Sequence, residues 1–283
     1  MIGITGATGH LGHLTIQALL DGGTPASEIV AIVRSPEKAA DLAAKGVQVR
    51  HGDYAQPSTL SAALEGLDKL LLISSNDAAD RLTPHLHVVE AARQAGVKLL
   101  TYTSILRADS SPLVLATDHK ATEEAIRAAG LPFVFLRNGW YLENYNLPQA
   151  VQVGAIAGSA GEGRVSAASR ADYAAAAAAV LTQPGQENKI YELGGDESFT
   201  LGELAAEVSA QSGKAVVYQN LPQEAYAGML KGFGLPAPLA EMLADSDVWL
   251  EKGELYTSRR DLSTLIGRPT TSMQAGVQAA LKG

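Results

Sequence analysis

A chain of 283 residues, 46% of them hydrophobic, can bury one large core or two unequal ones. Its formal net charge of −8 excludes a general nucleic-acid-binding surface, which needs a concentrated basic face, and no run of four or more Lys or Arg residues supplies one. The absence of cysteine excludes disulfides, thiolate catalysis and cysteine-ligated metal, and no metal site is expected.

The chain opens on an apolar run, Ile2-Gly3-Ile4-Thr5, that breaks into Gly6-Ala7-Thr8-Gly9-His10-Leu11-Gly12 and continues in a helical pattern through Leu14, Leu19 and Leu20. This predicts a strand, a tight turn and a helix N-terminus. Glycine suits such a turn because the chain must reach positive φ, a pyrophosphate must approach bare backbone, and the helix must lie close to the strand. The residues assigned to a dinucleotide phosphate are therefore Gly6, Thr8, Gly9, His10, Leu11 and Gly12, whose N–H groups sit at the positive end of the helix dipole. A strand starting at residue 2 leaves no room for a basic and then apolar leader, so a cytoplasmic location is expected.

Apolar runs then alternate with helical patterns. Strands are predicted at Ile29–Val33, Val47–Arg50, Lys69–Ile73, Val97–Tyr102 and Leu131–Leu136, with helices around 36–44, 60–64, 84–95 and 117–129 between them. Such alternation implies βαβ units with right-handed crossovers. The predicted fold is α/β, a Rossmann-like doubly wound parallel sheet with a smaller C-terminal α/β lobe. Residues 1–150 would form the NAD(P)-binding domain, with a return element around 165–195. Residues 196–283 would form the lobe, covering the ligand crevice at the strand ends. The stretch Gly154 to Gly163, with four glycines, reads as irregular structure. The run Tyr173 to Leu181 is mostly alanine, too short for a bilayer, and reads as a tightly packed helix returning to the sheet before a strand at Ile190–Leu193. Helices with one strand, Ala215–Tyr218, follow.

Cofactor choice falls at the end of the second strand, Val33-Arg34-Ser35. An acidic residue there bonds the ribose 2′-hydroxyl of NAD, whereas Arg accommodates a 2′-phosphate. Arg34, with no acid beside it, favours NADPH; its alternative is a solvated surface side chain. The fourth and fifth strands run into Ser74-Ser75-Asn76 and Thr103-Ser104, small polar groups suited to ribose, nicotinamide and substrate, though strand-ending turns also favour Ser and Asn locally. None of the nine tyrosines has lysine four residues on, so no Tyr-x-x-x-Lys proton donor exists; His119 is the candidate relay because histidine titrates near neutrality. Asn138-Gly139-Trp140-Tyr141 gathers an amide and two aromatics suited to a flat substrate or to the carboxamide, with core packing as the alternative for Trp140. Arg170 either meets a pyrophosphate or neutralises Asp172.

Gly6 to Gly12, Ile32-Val33-Arg34, Leu136-Arg137-Asn138-Gly139-Trp140-Tyr141 with Glu143-Asn144, Arg170-Ala171-Asp172-Tyr173-Ala174 and Leu243-Ala244-Asp245-Ser246-Asp247 together resemble the NmrA-like atypical short-chain dehydrogenases, and among them the type 2 NAD(P)H:quinone oxidoreductases. The resemblance spans essentially the whole chain. It implies NADPH binding, two-electron reduction of quinones without flavin, and a branch in which the Tyr-x-x-x-Lys pair is absent. Triphenylmethane dye reductases are similar through the glycines, Val49-Arg50-His51-Gly52-Asp53-Tyr54 and Leu136-Arg137-Asn138; the Trp-Tyr pair departs from their pattern. Two kinds of function stay open: a reductase whose partner is a quinone or another flat electrophilic acceptor, with no membrane insertion, and a redox-sensing NADP(H)-binding regulator of the NmrA type.

Overall fold

The computed structural model describes residues 1–77 and 79–282. In chain order the strands are β1 (Ile2–Thr5), β2 (Ile29–Val33), β3 (Gln48–His51), β4 (Lys69–Leu72), β5 (Leu99–Ile105), β6 (Phe133–Asn138), β7 (Ala155–Gly158), β8 (Lys189–Leu193) and β9 (Val217–Asn220). The helices are α1 (His10–Asp21), α2 (Ala40–Ala44), α3 (Pro57–Leu64), α4 (Leu82–Gln94), α5 (Val114–Ala128), α6 (Leu147–Val153), α7 (Arg170–Thr182), α8 (Leu201–Ser212), α9 (Gln223–Gly232), α10 (Ala237–Glu251), α11 (Asp261–Ile266) and α12 (Met273–Lys282).

The chain divides into two compact units. Unit 1 comprises residues 1–105, 118–137 and 170–191; unit 2 comprises residues 106–117, 138–169 and 192–283.

Seven strands form a parallel sheet in the order β3-β2-β1-β4-β5-β6-β8. The inner strands β2 and β4 read as largely apolar runs because both faces are covered, whereas the edge strands β3 and β8 are less buried and carry polar residues. On one face Val30, Ile32, Leu70, Leu72, Leu100, Tyr102 and Phe135 share a core with Leu60 and Leu64 of α3 and Val88, Val89 and Ala92 of α4. Helix α1 packs against α7, whose buried residues are mostly alanine. The order reverses between β1 and β4, which places the ligand crevice of such a sheet at the carboxyl ends of those two strands.

Unit 2 holds a second, two-stranded parallel sheet, β7 with β9, in register from Ala155 with Val217 to Gly158 with Asn220. The glycines at 154–163 hide β7 in the sequence, so the irregular reading of that stretch is corrected for Ala155–Gly158. Two of these glycines serve packing instead: a Cβ at Gly163 would lie 2.4 Å from Glu251 Cα, and one at Gly158 2.6 Å from Asp247 Oδ2. Helix α8 starts on a capping box in which Thr200 and Glu203 satisfy each other's backbone N–H. The predicted helix at 36–44 is a 3₁₀ turn at Pro36–Ala39 followed by the short α2. Among the described residues no helix is long and apolar enough to cross a membrane.

Candidate functional site

The turn after β1 is shaped by its glycines. Gly6 takes φ +60°, a conformation that favours glycine, and Gly9 N–H closes the turn onto Gly6 O at 2.9 Å. A Cβ at Gly12 would lie 2.5 Å from Gly6 O and 2.8 Å from Ala7 Cα, so this position fixes how closely α1 meets the turn. Gly9 precedes α1 in ordinary extended geometry, φ −78° and ψ 161°, and no side chain caps the helix. Gly6, Thr8, Gly9 and His10 are exposed, whereas Leu11 and Gly12 are buried, which leaves Leu11 only its backbone N–H to offer a ligand. The uncapped N–H groups of an α-helix beside bare glycine backbone are a ready anion site.

The carboxyl end of β4 lies against this turn. Ile73 N–H donates to Thr5 Oγ1 at 3.1 Å, while Thr5 Oγ1 donates to Leu71 O at 2.9 Å. A Cβ on Gly6 would stand 3.7 Å from Ile73 Cβ. Ser74 and Ser75 are half-buried and Asn76 exposed in the segment that follows β4. Arg34 is exposed at the end of β2 and makes no hydrogen bond or ion pair with the described residues. It sits close enough to Tyr54 to favour the phenolate, although burial dominates and pushes that phenol up.

Three other predicted residues of unit 1 have different surroundings. His119 is buried, its Nδ1 2.7 Å from the Tyr102 hydroxyl, and burial with the nearby Arg81 charge holds it well below the usual histidine range. The expectation of ordinary histidine titration thus does not fit these surroundings, which disfavour the charged imidazole. Ser104 donates to Glu123 Oε1 at 2.7 Å, and Arg137 grips the same carboxylate through Nε at 2.9 Å and Nη2 at 2.7 Å. That ionic cluster is buried, Glu123 being 1% exposed, and it engages the hydroxyl assigned to substrate. Arg170 opens α7 and is half-buried.

In unit 2, Trp140 is 7% exposed, as core packing requires, and its backbone pairs with Ala168. Tyr141 is half-buried, and its hydroxyl accepts from Asn138 Nδ2 at 3.1 Å. Asn138 Oδ1 is buried without a partner among the described residues, an acceptor that a ligand donor would satisfy. Unit 2 also buries Asp247, which accepts from Ser159 N–H at 2.8 Å; burial pushes its carboxyl up to about 6 against the opposing pull of that bond.

Sequence reasoning missed His85, Arg81, Glu123 and Asp247. Asp247 appeared there only as the last residue of the motif 243–247, and the partners Thr122 of His85, Asp118 of Arg81, Arg137 of Glu123 and Ser159 of Asp247 stand 14 to 88 positions away in the sequence.

A model of the NAD(P)H-binding family matches residues 6–184, from the glycine turn to just past α7. The chain belongs to this NAD(P)H-binding family. It is 52% identical to quinone oxidoreductase 2 of Escherichia coli (strain K12), over 98% of this chain and 97% of that protein. The crystal structure of an NADPH-dependent quinone oxidoreductase from Escherichia coli complexed with NADPH superposes with a TM-score of 0.94 over 99% of both chains, at 52% identity. Citrobacter sp. triphenylmethane reductase complexed with NADP(H) gives a TM-score of 0.92 at 44% identity, over 99% of this chain and 100% of that one. The family match begins at the glycine turn, and the family read from the motifs holds.

Proposed function

We propose that this protein is an NADPH-dependent quinone reductase, reducing a quinone to its quinol by transfer of one hydride and uptake of one proton. The observation that carries the reading is the uncapped, glycine-lined N-terminus of α1, with an exposed Arg34, unpaired among the described residues, at the end of the neighbouring β2. It is supported by near full-length similarity to a quinone oxidoreductase. The turn fits a pyrophosphate, because Gly6, Thr8 and Gly9 are exposed while Gly12 lets α1 close on the turn behind them. Arg34 would hold the 2′-phosphate by a charge-assisted fork, and Ser74, Ser75 and Asn76 would contact the ribose and nicotinamide. When bound, NADPH supplies the hydride.

The chain's own task is alignment, since hydride delivery to an electrophilic ring needs geometry more than acid catalysis. The proton comes from solvent, since burial and the Arg81 charge disfavour the protonated form of His119. The acceptor is a flat small molecule, and the protein works in the cytoplasm.

Oxidation of NADPH followed with benzoquinone-type acceptors tests the reading. Turnover with a quinone is expected, with NADPH preferred to NADH. The similarity to triphenylmethane reductase makes a triphenylmethane dye the informative competitor, and faster decolorisation of the dye would move the assignment to that acceptor class. Tight NADPH binding with no turnover of any acceptor would instead mark a redox-sensing regulator.

A further inference from the structure

The loop that follows β4 is held by its backbone rather than by its side chains. Ile73 N–H donates to Thr5 Oγ1 of β1, Ser74 N–H to Thr103 Oγ1 of β5 at 2.9 Å, and Ser75 N–H to His85 Nε2 of α4 at 2.9 Å. Three successive amides thus end on side chains of three different elements. The Ser75 carbonyl is fixed as well, accepting from Arg81 Nε at 2.9 Å. Both backbone polar groups of one residue are therefore held by buried side chains of the helix that follows and its entry.

The tautomer of His85 follows from these contacts. Nε2 accepts from Ser75, so Nδ1 carries the proton and donates to Thr122 Oγ1 at 3.0 Å; that hydroxyl donates onward to Asp118 O at 2.8 Å. Every donor in the chain is used. Burial and the Arg81 charge push His85 down to about 3, so the imidazole keeps this neutral form at working pH. Arg81 is oriented in turn by Asp118 Oδ2, 3.6 Å from its Nη1.

This ordering sits at the place where the sheet order reverses, beside Gly6. In such a sheet a dinucleotide lies across the reversal, one half over β1 and β2, the other over β4 and β5. Arg34 at the end of β2 marks the adenosine half, so the β4 loop faces the nicotinamide half. Building on the NADPH reading above, we propose that His85 and Arg81 are positioning residues for the nicotinamide half of the cofactor, acting through the backbone of Ser75.

The test separates the two halves of the ligand. His85→Leu removes the acceptor for Ser75 N–H; His85→Gln restores a polar atom near the Nε2 position. Calorimetric titration with NADPH is compared with titration of adenosine 2′,5′-bisphosphate, which has no nicotinamide. His85→Leu is expected to weaken NADPH by about 10-fold, with a matching rise in KM, and to leave the bisphosphate within about twofold, the loss corresponding to one buried hydrogen bond. His85→Gln is expected to recover most of the NADPH affinity. If the leucine variant folds poorly, Arg81→Lys, which keeps the charge near Asp118 but loses the Nε donor to Ser75 O, must show the same split. Equal loss of both ligands, or loss of neither, would overturn the assignment. Wild-type protein that binds neither ligand would overturn the cofactor reading and this inference with it; wild-type binding of both with no split in the variants would overturn the inference alone.

Discussion

Replacing Gly9 with alanine is expected to impair NADPH binding in a protein that still folds normally, whereas the same change at Gly12 is expected to damage folding first. At Gly12 the new methyl would meet backbone, Gly6 O at 2.5 Å and Ala7 Cα at 2.8 Å, and backbone cannot step aside as a flexible side chain can. Overpacking of this kind costs about 1–3 kcal/mol, a fall in Tm of roughly 2–12 °C for a protein of about this size. At Gly9 the only contact is Gly6 O at 3.2 Å and the backbone dihedrals suit any residue, so the cost stays below about 1 kcal/mol. The methyl would instead stand on the exposed side of the turn, in the approach of the pyrophosphate. Losing one charge-assisted hydrogen bond there is worth about 1.5–3 kcal/mol, a loss of affinity on the order of 10- to 150-fold. Thermal unfolding and calorimetric titration of the two variants side by side make the measurement. A Gly9→Ala protein that binds NADPH as the wild type does would rule out a pyrophosphate at this turn, and one that melts as low as Gly12→Ala would rule out the packing difference between the two positions.

Arg34→Ala is expected to weaken NADPH by about 10-fold, the lower end of the charge-assisted range because the side chain is exposed, and to leave NADH nearly unchanged. Added salt should narrow the wild-type gap between the two cofactors, and equal wild-type affinities would reduce Arg34 to a surface residue. Trp140→Ala should lower stability by about 3–5 kcal/mol in urea unfolding, since the indole is buried, and unchanged stability would show that it does not pack the core. Asp247 has a folded-state pKa of about 6, above the ordinary aspartate value, so its contribution to stability is full below about pH 4 and is lost as pH rises through 6. The stability difference between the wild type and Asp247→Asn should therefore shift by about 2–3 kcal/mol across that window, and a pH-independent difference would refute the burial argument.

The first strand, its turn and the opening helix were legible because everything that specifies them is local: an apolar run, three glycines at fixed spacing and a helical period. Strands β2 and β4 were legible for a related reason, since strands covered on both faces read as largely apolar runs, whereas β3 and β8 at the sheet edges mix polar with apolar residues. The small sheet was less so. Glycine-rich Ala155–Gly158 has the composition of a turn, and its pairing with Val217–Asn220 depends on a segment some sixty positions away. His119 shows the same limit in electrostatics. Its residue type suggests titration near neutrality, and only its burial beside Tyr102 and Arg81 removes that property. Glu123 lies within the predicted helix at 117–129, and its pairing with Arg137 depends on where β6 lies beside that helix.

The alternation of the two units along the chain bears on how such a protein can be rebuilt. Unit 1 is assembled from residues 1–105, 118–137 and 170–191, and each gap between them is filled by polypeptide of unit 2. No single cut yields either unit as one uninterrupted fragment, and no single crossover between genes transplants one of them intact. A chimaera that exchanges the cofactor specificity of two relatives must therefore be made by grafting short segments, such as the turn at 6–12 or the strand end at Arg34, into an otherwise unbroken recipient chain.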